Sequence, residues 1–336
     1  MRKKILVTGG AGYIGSHTLI EILKNNHDVV VIDNFSNSSE QSLKREKEIS
    51  KKDFVYQSLN ILDFDNLDKV FNSHKPELVL HFAGLKSVGE SVENPLSYYE
   101  NNVCGSIQLL KVMRLHNCNK IVFSSSATVY GDPCYLPLDE NHTLSPTNPY
   151  GHSKLMVENI LKDWAKSGRK ACVLRYFNPV GAHESGLIGE DPQGLPNNLM
   201  PFISQVAIGK IKQLEIYGDD YETRDGTGER DYIHITDLAK AHLSAVDNIS
   251  KLKDFEVLNI GTGRGTTVKE MIDIFKKYTN EDIPYNVVGR RSGDVAISVA
   301  TPKLANKLLN WKSQLDIEKA VSSSWNWQRK NPKGFN

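Results

Sequence analysis

Ile5-Leu6-Val7-Thr8-Gly9-Gly10-Ala11-Gly12-Tyr13-Ile14-Gly15 decides how this chain folds. Its first four residues read as a strand buried on both faces, and the residues after Gly15 read as a helix. The glycines between them have three different tasks. Gly9 permits a tight turn, Gly12 lets a pyrophosphate approach the backbone, and Gly15 lets the helix pack closely on the strand. The helix N-terminus then offers unpaired N–H groups and a partial positive charge to phosphates. A second strand ends at Asp33, 18 residues after Gly15. A carboxylate there accepts bonds from the 2′ and 3′ hydroxyls of a ribose and repels a 2′-phosphate, so the expected cofactor is NAD rather than NADP.

Outward from this turn, short apolar runs alternate with amphipathic segments. Strands are expected at Ile5 to Thr8, Val29 to Asp33, Leu78 to Phe82, Lys120 to Ser124 and Ala171 to Arg175, with helices such as Gly15 to Asn25 and Val103 to Asn117 between them. Such alternation implies right-handed βαβ units and an α/β fold with a doubly wound parallel sheet. Residues 181 to 230 are rich in Gly, Pro, Asn and Asp; a helix at Thr236 to Val246 and a strand at Val257 to Ile260 follow. The expected division is a dinucleotide-binding domain over residues 1–180, with a return segment near 231–262, and a smaller α/β domain over 181–336 for the substrate.

Composition narrows the function classes. A length of 336 residues suits two domains, and 39% hydrophobic and 24% charged residues are ordinary for a globular protein. A formal net charge of +1 leaves no electrostatic footprint for nucleic acid or a membrane surface. No apolar run approaches the roughly 20 residues of a membrane span. Met1-Arg2-Lys3-Lys4 runs directly into the first strand, so it reads as fold and not as a targeting segment. Cys104, Cys118, Cys134 and Cys172 show no zinc spacing, nor do the ten histidines; no metal is expected, and the cysteines read as packing residues of a reducing compartment, with the cytoplasm as location.

Tyr150-Gly151-His152-Ser153-Lys154 is the second constellation. Asn148-Pro149 reads as a helix N-cap and first helical residue, and Val157, Ile160, Leu161 and Trp164 continue an apolar stripe. Tyr150 and Lys154, four apart, share one helix face. A phenol with a pKa of about 10 is a poor base at neutral pH; a nearby ammonium and an oxidised nicotinamide would lower that value. Three expected strands end in small or polar residues, His81-Phe82-Ala83-Gly84, Ser124-Ser125-Ser126-Ala127-Thr128 and Arg175-Tyr176-Phe177-Asn178, and ligands lie at such ends. Ser126 would bridge a reacting hydroxyl and the phenol.

At these residues the chain resembles UDP-glucose 4-epimerases, of the extended short-chain dehydrogenase/reductase group. The resemblance runs through TGGAGYIGSH (Thr8 to His17), HFAGLKSVGES (His81 to Ser91), FSSSATVYGD (Phe123 to Asp132), PYGHSKLMVE (Pro149 to Glu158), RYFNPVGAH (Arg175 to His183), GEDPQGLPNNLMP (Gly189 to Pro201) and RDYIH (Arg230 to His234). It implies a Rossmann sheet and a catalytic trio of Tyr150, Lys154 and Ser126. It implies NAD contacts from Gly9, Gly12, Tyr13, Ile14, Asp33, Asn34, Asn60, Ile61, Phe82, Ala83, Gly84, Lys86, Asn101, Tyr150, Lys154 and Tyr176. For a UDP-sugar it implies Lys86, Ser126, Thr128, Tyr150, Asn178, Asn198, Leu199, Tyr217, Arg230, Arg291, Asp294 and Ser298, with guanidinium forks suited to a pyrophosphate. The implied reaction is transient oxidation at the sugar C4: Tyr150 takes the hydroxyl proton, hydride passes to NAD, the ketose turns and hydride returns. A homodimer is implied as well.

Two departures from the family bear on substrate and cofactor. Asn60 stands where the family often has an Asp on adenine; its amide oxygen still accepts. In Arg290-Arg291-Ser292-Gly293-Asp294-Val295-Ala296-Ile297-Ser298, the last position carries a bulky Tyr in glucose/galactose-restricted bacterial members. Ser298 implies room for a 2-acetamido group, and hence use of UDP-GlcNAc and UDP-GalNAc. A 4,6-dehydratase of this fold would need carboxyl groups beside the catalytic Ser/Thr, and Ser126-Ala127-Thr128 has none. A net dehydrogenase, or a non-catalytic NAD-binding regulator, is the remaining alternative.

Overall fold

The structure is a computed structural model and describes residues 2–166, 168–291 and 293–335; Ser292, in the stretch quoted around Arg291, lies outside them. The first half alternates strand and helix: β1 (Lys4–Thr8), α1 (Tyr13–Lys24), β2 (Asp28–Asp33), α2 (Glu40–Ser50), β3 (Val55–Ser58), α3 (Phe64–His74) and β4 (Leu78–His81). Short helices α4 (Val88–Glu93) and α5 (Pro95–Tyr98) and a π-helical stretch, Tyr99–Cys104, lead into α6 (Gly105–Leu115). Next come β5 (Lys120–Ser126), a single 3-10 turn, α7 (Pro149–Trp164) and β6 (Lys170–Tyr176). The second half holds β7 (Asn178–Val180), α8 (Leu199–Ala207), β8 (Leu214–Tyr217), β9 (Glu229–His234), α9 (Ile235–Asn248), β10 (Phe255–Ile260), β11 (Gly265–Thr267), α10 (Val268–Thr279), β12 (Tyr285–Val288), β13 (Ile297–Ser298), α11 (Lys303–Leu309) and α12 (Ile317–Lys330).

Seven strands form one parallel sheet in the order β10-β6-β5-β4-β1-β2-β3. The chain leaves β1 towards β2 and β3, then crosses back to β4 on the other side of β1. That reversal opens a crevice at the C-terminal ends of β1 and β4, the place where such sheets bind ligands. Alternate residues of each strand feed two cores. Ile5, Val7, Val29 and Val31 pack with α1 and α9, whereas Leu6, Val30, Val79 and Phe123 pack with α3, α6 and α7. Burial on both faces is why these strands read as unbroken apolar runs.

A smaller assembly covers the C-terminal ends. β9 lies between β11 and β13 and also pairs with β7, and β8 pairs with β12. Its core joins α8, α10 and α12 through Met200, Ile203, Phe275 and Trp325. Within the expected return segment 231–262, α9 and β10 pack on the large sheet, whereas β9 forms the middle of the small one. Among the described residues no helix is long and apolar enough to cross a membrane. Cys118 and Cys172 are buried, but Cys104 and Cys134 are exposed, which corrects the packing reading for those two.

Candidate active site

The turn after β1 is pressed against the loop after β4. Gly9 adopts φ +69°, and a Cβ there would stand 2.6 Å from the Ala83 nitrogen. A Cβ on Gly15 would stand 2.3 Å from the Gly9 oxygen, so only glycine lets α1 begin this close. Gly12 differs: a Cβ there meets only the Gly9 oxygen, at 3.4 Å, and its outer side is open. Gly12 caps α1 without a side-chain bond, and the first turn, with Tyr13 and Ile14, carries no acid, so its N–H groups are left for an anion. Asp33 Oδ2 accepts from the Ala11 N–H (3.0 Å), and Oδ1 accepts from the Phe35 N–H and the Ser38 hydroxyl, both at 2.9 Å. A carboxylate has about four acceptor sites, so Asp33 keeps one for a ribose hydroxyl. An open phosphate cradle beside such a carboxylate fits NAD.

The other residues expected on the cofactor sit around this cradle in different ways. Asn34 and Asn60 are exposed beyond β2 and β3, each oxygen accepting the N–H two residues on. The Ile61 side chain is buried against Gly105. The Tyr13 hydroxyl donates to the Gly181 carbonyl (2.6 Å), and the Tyr176 hydroxyl lies 3.3 Å from His242 Nε2. Phe82, one residue beyond β4, packs against the His242 ring at a tilt of 53°.

Asn101 donates to Asn102 Oδ1, and Asn102 is one residue that sequence reasoning missed. Its side chain accepts from the Leu85 N–H (2.8 Å) and donates to the Leu85 carbonyl and the Ser153 hydroxyl, both at 3.0 Å. One buried amide thereby fixes the loop after β4 to α7. It gave no sequence signal because it lies in the π-helical stretch, where helical spacing fails. His81 spans Thr8 Oγ1 and Ser106 Oγ, and burial lowers its pKa to about 3, keeping it neutral.

Tyr150, Lys154 and Ser126 come together where β5 ends and α7 begins. Asn148 accepts from the Gly151 N–H (2.9 Å) and Pro149 starts the helix, as their types predict. A Cβ on Gly151 would stand 2.9 Å from the Thr128 oxygen, so glycine here lets α7 close on the turn carrying Ser126. Ser126 accepts from the Thr128 N–H and hydroxyl at 3.2 and 3.0 Å. Lys154 is buried and donates to the Ser124 carbonyl at 2.9 Å. Burial lowers its pKa to about 8, while the Glu158 charge one turn on pulls it back up. Of the protein's own contributions, burial raises the Tyr150 phenol pKa, and the bond from Ser126 opposes this. Lys154 Nζ lies 5.8 Å from the centre of the Tyr150 ring, with one of its three hydrogens given to the Ser124 carbonyl.

The residues expected on a UDP-sugar fall in two groups. Arg291 forms a forked pair with Asp294 (3.2 and 2.9 Å) and lies over the Tyr217 ring, and Arg230 Nη2 is 3.9 Å from the same carboxylate. Two guanidiniums thus share one acid, with charge in hand for a pyrophosphate. Ser298 pairs in register with Arg230. A Cβ on Gly293 would lie 3.7 Å from the Thr147 hydroxyl, which places this turn beside the start of α7. In the second group Asn178 opens β7 and Asn198 and Leu199 open α8, with Asn198 and Lys86 both bonded to Glu190.

The model of the NAD dependent epimerase/dehydratase family matches residues 5–261. A protein of Pasteurella multocida named UDP-glucose 4-epimerase is 53% identical, over 98% of this chain and 99% of its own. Among solved structures, the Bifidobacterium longum UDP-glucose 4-epimerase in complex with NAD+ and UDP superposes with a TM-score of 0.95 at 48% identity, covering 98% of this chain and 99% of the other. The Stenotrophomonas maltophila enzyme of that name, with bound NAD and a formylated UDP-arabinopyranose, gives 0.96 at 43% identity and 99% coverage of each chain.

Proposed function

The chain belongs to the NAD dependent epimerase/dehydratase family, and from that premise we propose that it interconverts UDP-glucose and UDP-galactose by inversion at C4. The observation that carries this reading is the junction of Tyr150, Ser126 and Lys154 at adjoining ends of β5 and α7. Bound NAD supplies the hydride acceptor. Tyr150 takes the proton of the sugar 4-hydroxyl, Ser126 holds that hydroxyl against the phenol, and the buried Lys154 ammonium keeps positive charge beside the ring. The forked arginines hold the pyrophosphate. Residues 1–180 with the return segment serve NAD, and 181–336 serve the UDP-sugar. Net dehydration is disfavoured because residues 126–128 carry no carboxyl group. Incubation with UDP-galactose and NMR assignment of the product tests the reading. UDP-glucose without accumulated NADH is the expected result, and a dehydrated or oxidised sugar refutes it.

The same site takes the 2-acetamido pair, UDP-GlcNAc and UDP-GalNAc. Ser298 is small, and the backbone behind it is pinned. The Leu138 N–H donates to the Val299 carbonyl and the Thr301 N–H to the Leu138 carbonyl, both at 2.8 Å, and the Ala300 N–H donates to Asp231 at 3.2 Å. With that backbone held, the size of residue 298 sets the size of the sugar pocket. Rates on all four UDP-sugars check this; no turnover of the acetamido pair overturns it.

The chain works as a cytoplasmic homodimer. Val92, Leu96 and Met156 are 63%, 79% and 44% exposed on α4, α5 and α7, which pack together, and an apolar face of that kind suits a second copy. Light scattering at micromolar concentration should give twice the 37.7 kDa chain mass, and a monomer refutes the assembly.

A further inference from the structure

Glu190 stands where the cofactor half and the sugar half meet, and the catalytic reading leaves it without a task. Its Oε1 accepts from Lys86 Nζ at 3.1 Å and from Asn198 Nδ2 at 2.6 Å. Lys86 lies in the loop after β4 and Asn198 at the start of α8, so one carboxylate joins two residues expected on the sugar from opposite halves. A parallel bond runs from Asn197 Nδ2 to the Ser87 hydroxyl at 3.1 Å. On its other side Glu190 shares a small cavity with Tyr13 and Ser204, and its charge adds to the burial that raises the Tyr13 phenol.

The acid is the fixed partner in this cluster. Its side chain is 9% exposed against 47% for Lys86. Its own carbonyl accepts from Trp327 Nε1 at 3.1 Å, and a Cβ on neighbouring Gly189 would stand 2.4 Å from the Trp327 ring. The backbone here is therefore pressed flat on α12 and cannot follow Lys86. A long, hydrated lysine stem costs entropy to hold in one place, and a buried, charge-assisted partner offsets that cost before the ligand arrives.

We propose that Glu190 is a positioning residue that, anchored to Asn198 on its own strap, ties the 190–198 segment to the cofactor half and holds Lys86 ready for the UDP-sugar. This rests on the UDP-sugar reading above. A carboxylate in this role acts through Lys86, so its removal costs ground-state binding and leaves the chemistry at Tyr150 alone.

The test compares Glu190→Gln, Lys86→Met and the double variant, with Glu190→Asp as a shorter acid that keeps its charge. Each is measured for kcat and KM with UDP-galactose, for NAD content and for thermal midpoint. Each single change should raise KM about fivefold, with kcat within about twofold, and the double variant should be no worse than Lys86→Met alone. Glu190→Asp should lose the reach to Lys86 and match Glu190→Gln. Additive effects of the two single changes overturn the proposal. So does a lowered thermal midpoint or lost NAD with KM unchanged, because those mark a purely structural residue. An unaltered protein that fails to epimerise UDP-galactose overturns the functional reading instead.

Discussion

Replacing Glu158 by Gln tests how the catalytic lysine is supported. Arg175 Nε donates to both Glu158 oxygens (3.0 and 3.3 Å) and Nη2 donates to Oε2 at 2.6 Å, with Ser125 adding a further short hydrogen bond. The two side chains are only 4% and 3% exposed. Gln keeps the shape and one acceptor but leaves the guanidinium buried without its counter-charge. Removing one partner of a buried pair costs about 3–5 kcal/mol, and the retained acceptor places this change near 3. Glu158 also raises the Lys154 pKa, so its loss lets that ammonium titrate lower still. Urea unfolding should show the destabilisation as a lower midpoint, and the alkaline limb of kcat should move to lower pH. Glu158→Gln with Arg175→Met removes both charges and should recover much of the stability, but not the pH profile. A loss below about 1 kcal/mol with an unmoved profile refutes the reasoning.

Lys154 gives opposite signs in two measurements. Its folded pKa of about 8 lies below the ordinary 10.5, so the unfolded chain binds the extra proton between those values and its contribution to stability rises with pH across that window. Activity should fall with a midpoint near pH 8, where the folded ammonium is lost. The stability difference between the unaltered protein and Lys154→Met, followed from pH 8 to 10.5, checks the first sign, and a kcat profile checks the second. Gly15→Ala should cost about 1–3 kcal/mol and strip NAD, because its Cβ would stand 2.3 Å from the Gly9 oxygen; unchanged unfolding and NAD content refute it. Ser298→Tyr should abolish turnover of the acetamido pair and spare UDP-galactose, as rates on both sugars would show.

The large sheet was legible because its strands are buried on both faces. Val29 to Asp33 reads as one apolar run, and β2 spans Asp28–Asp33. Strand β3 was not, since Val55–Ser58 is mostly exposed at the sheet edge and carries no such run. The short strands around β9 escaped notice for a similar reason: two or three residues hold no period. The glycine turn, Asp33 and the Tyr150 helix were readable because each is a local device with its own spacing. Glu190, Asn102 and Glu158 act across 8 to 104 residues of sequence, through Asn198, Leu85, Arg175 and Lys86, and spacing cannot report such contacts.

The central claim is that Tyr150 carries the proton of the sugar 4-hydroxyl. Tyr150→Phe removes that oxygen and nothing else from a side chain held edge-on by Tyr98. Turnover of UDP-galactose, measured beside NAD content, should fall by a factor of about 100 or more with NAD still bound. Turnover within a few-fold of the unaltered protein, with NAD in place, would contradict the account.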